Sequence, residues 1–273
     1  MFDLSQPLGV CTWTFGPQPL ERTAATLRTL GYDGVELHGD LDAFTPSRAR
    51  AILDGEGLRL FSLTPANVDP AHPDSAIRQA AVDYYMKLVD FAAEAGGIVS
   101  VHGHVGRVAP VASMAAERSL LVQSVRRIAG HAEQSGVDLV FEVLNRYEAH
   151  LINTCGEALA LMRDIGSPRL KVLLDAYHMN IEESDPVRAV HDAGNDLGLF
   201  HVADSNRDAI GRGHTDFRAI FAALNDTGYA GPVIVECTPP GPNPFTPVKD
   251  PDSVAVLVGQ LRACRAALTG TAA

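Results

Sequence analysis

A chain of 273 residues, 46% hydrophobic and 20% charged, is long enough for one large α/β barrel or two modest domains, and this composition excludes a disordered polymer. A formal net charge of −11 with no Lys/Arg cluster excludes the electrostatic footprint of a nucleic-acid or anionic-membrane binder, and favours a neutral or weakly charged small molecule as partner. Cys11, Cys155, Cys237 and Cys264 are scattered without CxxC or zinc-like spacing, MFDLSQPLGV is no secretory leader and no run approaches a membrane span, which together point to a cytoplasmic enzyme with reduced thiols.

In chain order, Gly9 to Thr14 reads as a first strand and Pro19 to Leu30 as a helix stopped by Gly31. Gly34 to Leu37 is a second strand, Pro46 to Leu53 a helix and Arg59 to Leu63 a third strand. Ser75 to Ala95 follows as a long amphipathic helix, with Ser75 as N-cap and Gly96 as stop. Ile98 to Val101 is a fourth strand leading into HGHVGRV, and Met114 to Gln134 a long helix closed by Gly136. A fifth strand, Asp138 to Val143, precedes a helix over Glu157 to Arg163 that begins after Thr154.

In KVLLDAYHMNIEES the apolar run Val172 to Leu174 is too brief for a helix and reads as a sixth strand, buried on both faces and turning acidic at Asp175. Pro186 to Ala193 is a helix, Leu197 to Val202 a seventh strand and Phe217 to Asn225 a helix with Thr215 as its N-cap. Val233 to Val235 is an eighth strand and Val254 to Leu268 a closing amphipathic helix, with a frayed tail from Thr269 to Ala273. About eight strand and helix units, repeating roughly every thirty residues without a linker, predict a single (β/α)8 TIM barrel over residues 1–273. GYDGVEL at Gly31 and GYAGPVIVE at Gly228 echo one another, as equivalent units should.

Each of the last four strands ends in one good metal ligand: Glu142 in FEVLNRYE, Asp175 in LLDAYH, His201 in LFHVADSNR and Glu236 in VIVECTPP. In a parallel barrel all C-terminal strand ends share one face, so four consecutive neighbours converge. One strand-end carboxylate is usually a helix cap or a salt-bridge partner. Four in register, each after an apolar run that would otherwise bury an unpaired charge, resist separate explanations. Three carboxylates and one imidazole are a hard set suited to Mn²⁺, with Mg²⁺ or Co²⁺ as substitutes, and less suited to zinc.

Glu148, His178, Asn206 and Arg207 are second-layer candidates for binding a substrate. Bland readings stand beside them: Arg207 pairs with Asp204 or Asp208, Glu148 caps a loop, and His178 is a ligand, a substrate contact or a rim histidine. His102 and His104, like Glu36 and His38, sit at strand ends and are substrate-facing, structural or metal-binding. Trp13 and Phe15 form either an apolar wall over a sugar or plain core. GRGHTDF lacks the spacing of a phosphate loop.

The blocks FEVLNRYEAHLINT, KVLLDAYHMNIEES, HVADSNRDAIGRGHTDF and VIVECT resemble the xylose-isomerase-like barrel superfamily and, within it, the ketose 3-epimerases of the D-tagatose and D-psicose type. The resemblance implies Mn²⁺ held by Glu142, Asp175, His201 and Glu236. It also implies contacts from Glu148, His178 and Arg207 to the carbonyl end of a ketose, and a homo-oligomeric enzyme. Removing a proton beside a ketose carbonyl requires a stabilised enediolate, which a chelating divalent cation supplies as a Lewis acid. Arg207 and His178 would add charge and hydrogen bonds, while Glu142 and Glu236 would act as the acid/base pair on the two faces. The same constellation also admits aldose–ketose isomerisation, a dehydratase or lyase acting on a keto-inositol or oxo-glycoside, a metal-dependent endonuclease and a noncatalytic sugar-binding barrel.

Overall fold

Largely apolar segments of three to six residues become the staves of a parallel barrel in the computed structural model of the chain, which describes residues 2, 4–243 and 245–270. The strands are β1 (Leu8–Cys11), β2 (Gly34–His38), β3 (Arg59–Thr64), β4 (Ile98–Val101), β5 (Leu139–Glu142), β6 (Leu170–Asp175), β7 (Leu197–Val202) and β8 (Val233–Val235). They pair in chain order, and β8 closes on β1 through Leu8 opposite Val233. The intervening helices are α1 (Leu20–Leu30), α2 (Pro46–Gly55), α3 (Ser75–Ala95), α4 (Met114–Ser135), α5 (Cys155–Ile165), α6 (Ala176–Glu182), α7 (Pro186–Ala193), α8 (Phe217–Asp226) and α9 (Ser253–Thr269). The expected (β/α)8 barrel is the observed fold.

Two glycines illustrate how sequence sets geometry. Gly31 ends α1 with φ 80°, a left-handed conformation open to glycine at little cost, as Gly228 does after α8 with φ 72°. At the barrel floor a Cβ on Gly34 would lie 2.5 Å from the Phe61 ring and 2.3 Å from the Arg59 carbonyl oxygen. The missing side chain is what lets Phe61 fill the axis.

Several local expectations are corrected. Thr12 to Thr14 leave the first strand for a 3₁₀ turn over Thr12–Phe15, because the Thr14 hydroxyl donates to the Cys11 carbonyl at 2.7 Å and Gly16 N–H to that of Trp13 at 2.9 Å. The α3 N-cap is Asp74 rather than Ser75; its carboxylate accepts from Ala76 N–H at 2.8 Å, where a negative charge also suits the helix dipole. Asp216 rather than Thr215 caps α8, since the Thr215 N–H is drawn to Asp204 Oδ1 at 3.2 Å. The helix α6 was not foreseen: Asp175 ends β6 and caps α6 at once, accepting from Tyr177 N–H at 2.8 Å. In the tail, Thr269 belongs to α9 and Gly270 caps it, while residues 271–273 lie outside those described. No helix among the described residues is long and apolar enough to cross a membrane, and all four cysteines are free and buried.

At the C-terminal mouth, three loops are tied by one buried ionic network. Arg107, between β4 and α4, donates to Asp69 Oδ1 at 2.9 Å and pairs with Glu117 of α4. Glu117 also accepts from the Val111 and Ala112 N–H groups at 2.6 and 2.7 Å, and its Oε2 lies 2.7 Å from His150 Nε2. Gly106 N–H donates to the Glu148 carbonyl at 2.7 Å, so the network braces the β5–α5 loop. Burial opposes ionisation of Glu117, but the Ala112 N–H, Arg107 and His150 outweigh it and hold its carboxyl down at about 2. That depression stabilises the fold above the ordinary value of 4.5 and is lost as pH falls toward 2. Glu117→Gln, which strands part of a buried ion pair, is therefore expected to cost about 3–5 kcal/mol at neutral pH. Thermal melts across a pH series check this, and the gap between variant and wild type should shrink from pH 5 downward.

Candidate metal centre

Strand alternation decides which side chains enter the barrel. Val140, Leu173, Leu199 and Ile234 pack with Cys11 as an inner cluster on the axis. Two residues further along each strand stand Glu142, Asp175, His201 and Glu236, which the period of two returns to the same inward face one layer nearer the mouth. The apolar layer thus sets the height and direction of the polar one.

One ligand atom from each of these four residues lies within 4.8 Å of the other three, and all four side chains are buried. His201 Nδ1 is 3.8 Å from both Glu142 Oε1 and Glu236 Oε2. Burial, relieved by His201 but aggravated by Glu236, Glu36 and Asp175, pushes the Glu142 carboxyl well above the usual carboxylate range. Asp175 is pushed up to about 7 by burial and by the charge of Glu236. Glu236 shows the opposite balance: burial is outweighed by His201, Arg207 and the Trp13 N–H, which hold it well below the ordinary range. Asp175 Oδ2 and His201 Nδ1 are buried without a hydrogen-bond partner. Buried polar atoms normally have one, and orphans around crowded hard oxygens fit a divalent cation as the missing member. Cys11 Sγ forms a second, overlapping set with His201 and Glu236.

Around the cluster lies a ring of polar groups. Arg207 donates to Glu148 Oε1 at 3.1 Å and to Glu236 Oε2 at 3.3 Å, so the bland alternative of a pairing with Asp204 or Asp208 does not hold. Its guanidinium lies 4.8 Å from the Tyr177 ring centroid and 5.6 Å from that of Trp13. The Arg207 backbone is left-handed, with φ 63°, held by its N–H to the Asp204 carbonyl at 2.7 Å and by Thr238 N–H to its own carbonyl at 3.0 Å. Such a φ is costly for a residue with a Cβ and is tolerated where the surroundings over-determine it. Trp13 donates its indole N–H to Glu236 Oε1 at 2.7 Å. His178 Nδ1 accepts from the Asn145 N–H at 3.2 Å, so the ring proton sits on Nε2, 3.7 Å from Asp175 Oδ2. Burial, and next Arg207, hold His178 well below its ordinary value, keeping it a neutral donor.

A cavity of about 840 Å³ opens above the cluster, lined by Trp13, His38, His102, Glu142, Glu148, His178, Arg207 and Glu236 among others. His102 Nδ1 lies 2.5 Å from the Gly103 carbonyl, which places the proton on Nδ1 and leaves Nε2 as an acceptor. His104 lines a smaller hollow with Arg107 and His150. Phe15 is core, and Asn206 is committed to the Arg212 carbonyl at 3.1 Å, away from the ring. Sequence reasoning missed Asn145 and Tyr177 in the ring and left Glu36 undecided. Asn145 and Tyr177 lie inside the same sequence blocks, but an amide on a loop and a phenol on a short helix carry no ligand signal of their own.

Residues 24–254 match the family model described as xylose isomerase-like TIM barrel. The chain is 33% identical over 219 residues to an L-ribulose 3-epimerase of Mesorhizobium japonicum, covering 77% of this chain and 73% of that one. It is 33% identical over 236 residues to a ketose 3-epimerase of Arthrobacter globiformis, covering 82% and 80%. The structure of D-psicose 3-epimerase with D-tagatose from Clostridium cellulolyticum H10 superposes with a TM-score of 0.83 at 25% identity, covering 96% of each chain.

The crowding of carboxylates predicts a measurable response to cations. Adding a divalent ion at about 100 times its Kd should stabilise the chelator-treated protein by about 2.7 kcal/mol. For a chain of this size that is a rise in Tm of roughly 5–10 °C. Asp175→Asn should abolish the rise while leaving the metal-free Tm equal or higher, because it removes a buried charge that Glu236 repels. Scanning calorimetry with and without metal checks both signs.

Proposed function

The chain belongs to the xylose isomerase-like TIM-barrel family and, within it, to the ketose 3-epimerases, and from that premise we propose that it inverts C3 of a free ketose by removing a proton from one face and returning one to the other. The observation that carries this reading is the convergence of Glu142, Asp175, His201 and Glu236 at the floor of a sugar-accessible cavity, ringed by Glu148, His178 and Arg207. These four residues would hold the cation, and a hard donor set of three carboxylates and one imidazole suits Mn²⁺, with Mg²⁺ or Co²⁺ as substitutes. When bound there, a divalent cation supplies Lewis acidity at the carbonyl and its neighbouring hydroxyl.

The chain's own residues do the rest. Glu142 at the end of β5 and Glu236 just past the end of β8 reach the cluster from strands that are not neighbours, the arrangement a two-base scheme needs. Each carboxylate has two oxygens, so one can serve the ligand set while the other takes or returns the proton at C3. His178, neutral and with its proton on Nε2, donates a hydrogen bond where negative charge develops on the substrate oxygen. Arg207 adds positive charge at the same end and is steadied by Glu148 and the Tyr177 and Trp13 rings. Trp13 also closes one side of the cavity as an apolar wall, and His102 presents an acceptor nitrogen to a sugar hydroxyl. We place this activity in one barrel domain spanning the chain, in the cytoplasm and in a homo-oligomer; size-exclusion chromatography with light scattering reads the last of these.

Turnover of free ketoses by the chelator-treated, Mn²⁺-loaded protein in deuterium oxide tests the reaction. Label at C3 of the recovered sugar is the expected result, whereas label at C1 or C2 would mean aldose–ketose isomerisation. Glu142→Gln and Glu236→Gln should each lower kcat by at least about 10²-fold. Near-normal turnover in both would end the two-base scheme.

A further inference from the structure

We propose that Glu36 is a positioning residue that fixes His201 with its Nδ1 lone pair toward the cation, an inference that rests on reading Glu142, Asp175, His201 and Glu236 as the ligand set. Glu36 stands on β2, fully buried, and reaches across the barrel interior to β7, which is not a neighbouring strand. A carboxylate in such a place is expensive unless its oxygens are satisfied. Here each oxygen has two donors. Oε1 accepts from the Cys11 S–H at 3.1 Å and from the Thr64 hydroxyl, and Oε2 from the Ser62 hydroxyl at 2.5 Å and from His201 Nε2 at 3.2 Å.

The consequence falls on the imidazole. With one ring proton committed to Glu36 through Nε2, Nδ1 is the nitrogen left to give up its proton and offer a lone pair when a cation binds. Nδ1 is buried, lacks a hydrogen-bond partner and lies 3.8 Å from an oxygen of Glu142 and 3.8 Å from one of Glu236. Two carboxylates that close to Nδ1 favour positive charge between them, which a bound cation supplies. The carboxylate behind the imidazole therefore selects both the ring orientation and the tautomer that binding requires, the part played by outer partners of metal-bound histidines in general. The same carboxylate accepts a hydrogen bond from the Cys11 thiol at 3.1 Å, shorter than that thiol's 3.6 Å contact to Glu236 Oε1.

Full-length wild type and Glu36→Gln, both chelator-treated, are compared by competition for Mn²⁺ with a chromophoric chelator and by metal-free Tm. The expected result is a Kd weakened about 10–100-fold in the variant, with a smaller change in metal-free Tm than a loss of core packing would give. Equal Kd values in the two proteins would overturn the proposal. Failure of wild type to bind any divalent ion would instead overturn the reading of the ligand set, and this inference with it. Should Glu36→Gln not fold, two-bond ¹H–¹⁵N correlations of the wild-type histidines with diamagnetic Mg²⁺ bound decide instead. His201, assigned by its absence from His201→Gln, should carry its proton on Nε2. A proton on Nδ1 would overturn the proposal.

Discussion

Negative charge held out of water at the mouth of the barrel is the constraint to which the neighbouring structure answers. Glu36, Glu142, Asp175 and Glu236 are buried within reach of one imidazole, and burial alone would leave such a set mutually repelling. The protein balances part of it directly. Arg207 reaches Glu236 and Glu148, the Trp13 indole donates to Glu236, and hydroxyls of Ser62 and Thr64 saturate Glu36. What remains unbalanced is concentrated on Glu142, Asp175 and the bare nitrogen of His201. Asp175 Oδ2 and His201 Nδ1, both without hydrogen-bond partners, lie where a cation would be most strongly held.

The apolar barrel makes that arrangement stiff. Because Glu142, Asp175, His201 and Glu236 each follow an axis-filling residue by two positions, their direction is inherited from the packing of Val140, Leu173, Leu199 and Ile234. The loops are braced separately. Arg107, Asp69, Glu117 and His150 bind three of them into one body, and the backbone contact from Gly106 to Glu148 carries that rigidity to the residue that partners Arg207. Groups that must hold a small polyol within fractions of an ångström are thereby seated on strands or on loops with few independent motions.

The barrel and the convergence of Glu142, Asp175, His201 and Glu236 at its mouth were legible in the sequence because both are written locally. An apolar run that stops at Glu, Asp or His states the strand, its end and the inward residue together, and neighbouring strands then supply convergence through topology. The supporting ring was less legible. Glu148 and Arg207 were candidates, yet their pairing spans 59 positions, and the nearby Asp204 and Asp208 were equally good partners on paper. Asp204 instead takes the N–H groups of Ser205, Gly211 and Thr215, which shape the loop that presents Arg207. Glu36 stood at a strand end like the four ligands, but only the fold shows its carboxylate turned to His201, 165 positions away. The 3₁₀ turn at Thr12–Phe15 was obscured because a threonine hydroxyl competing for a strand carbonyl leaves no mark in hydrophobic periodicity.

The left-handed backbone at Arg207 ties main-chain strain to side-chain placement. A glycine there would relax the main chain. Glycine would also erase the guanidinium that spans Glu148 and Glu236. Relief of the loop and loss of the bridge are thus the same substitution, so stability can be gained at this position only by giving up the positive charge beside the buried carboxylates.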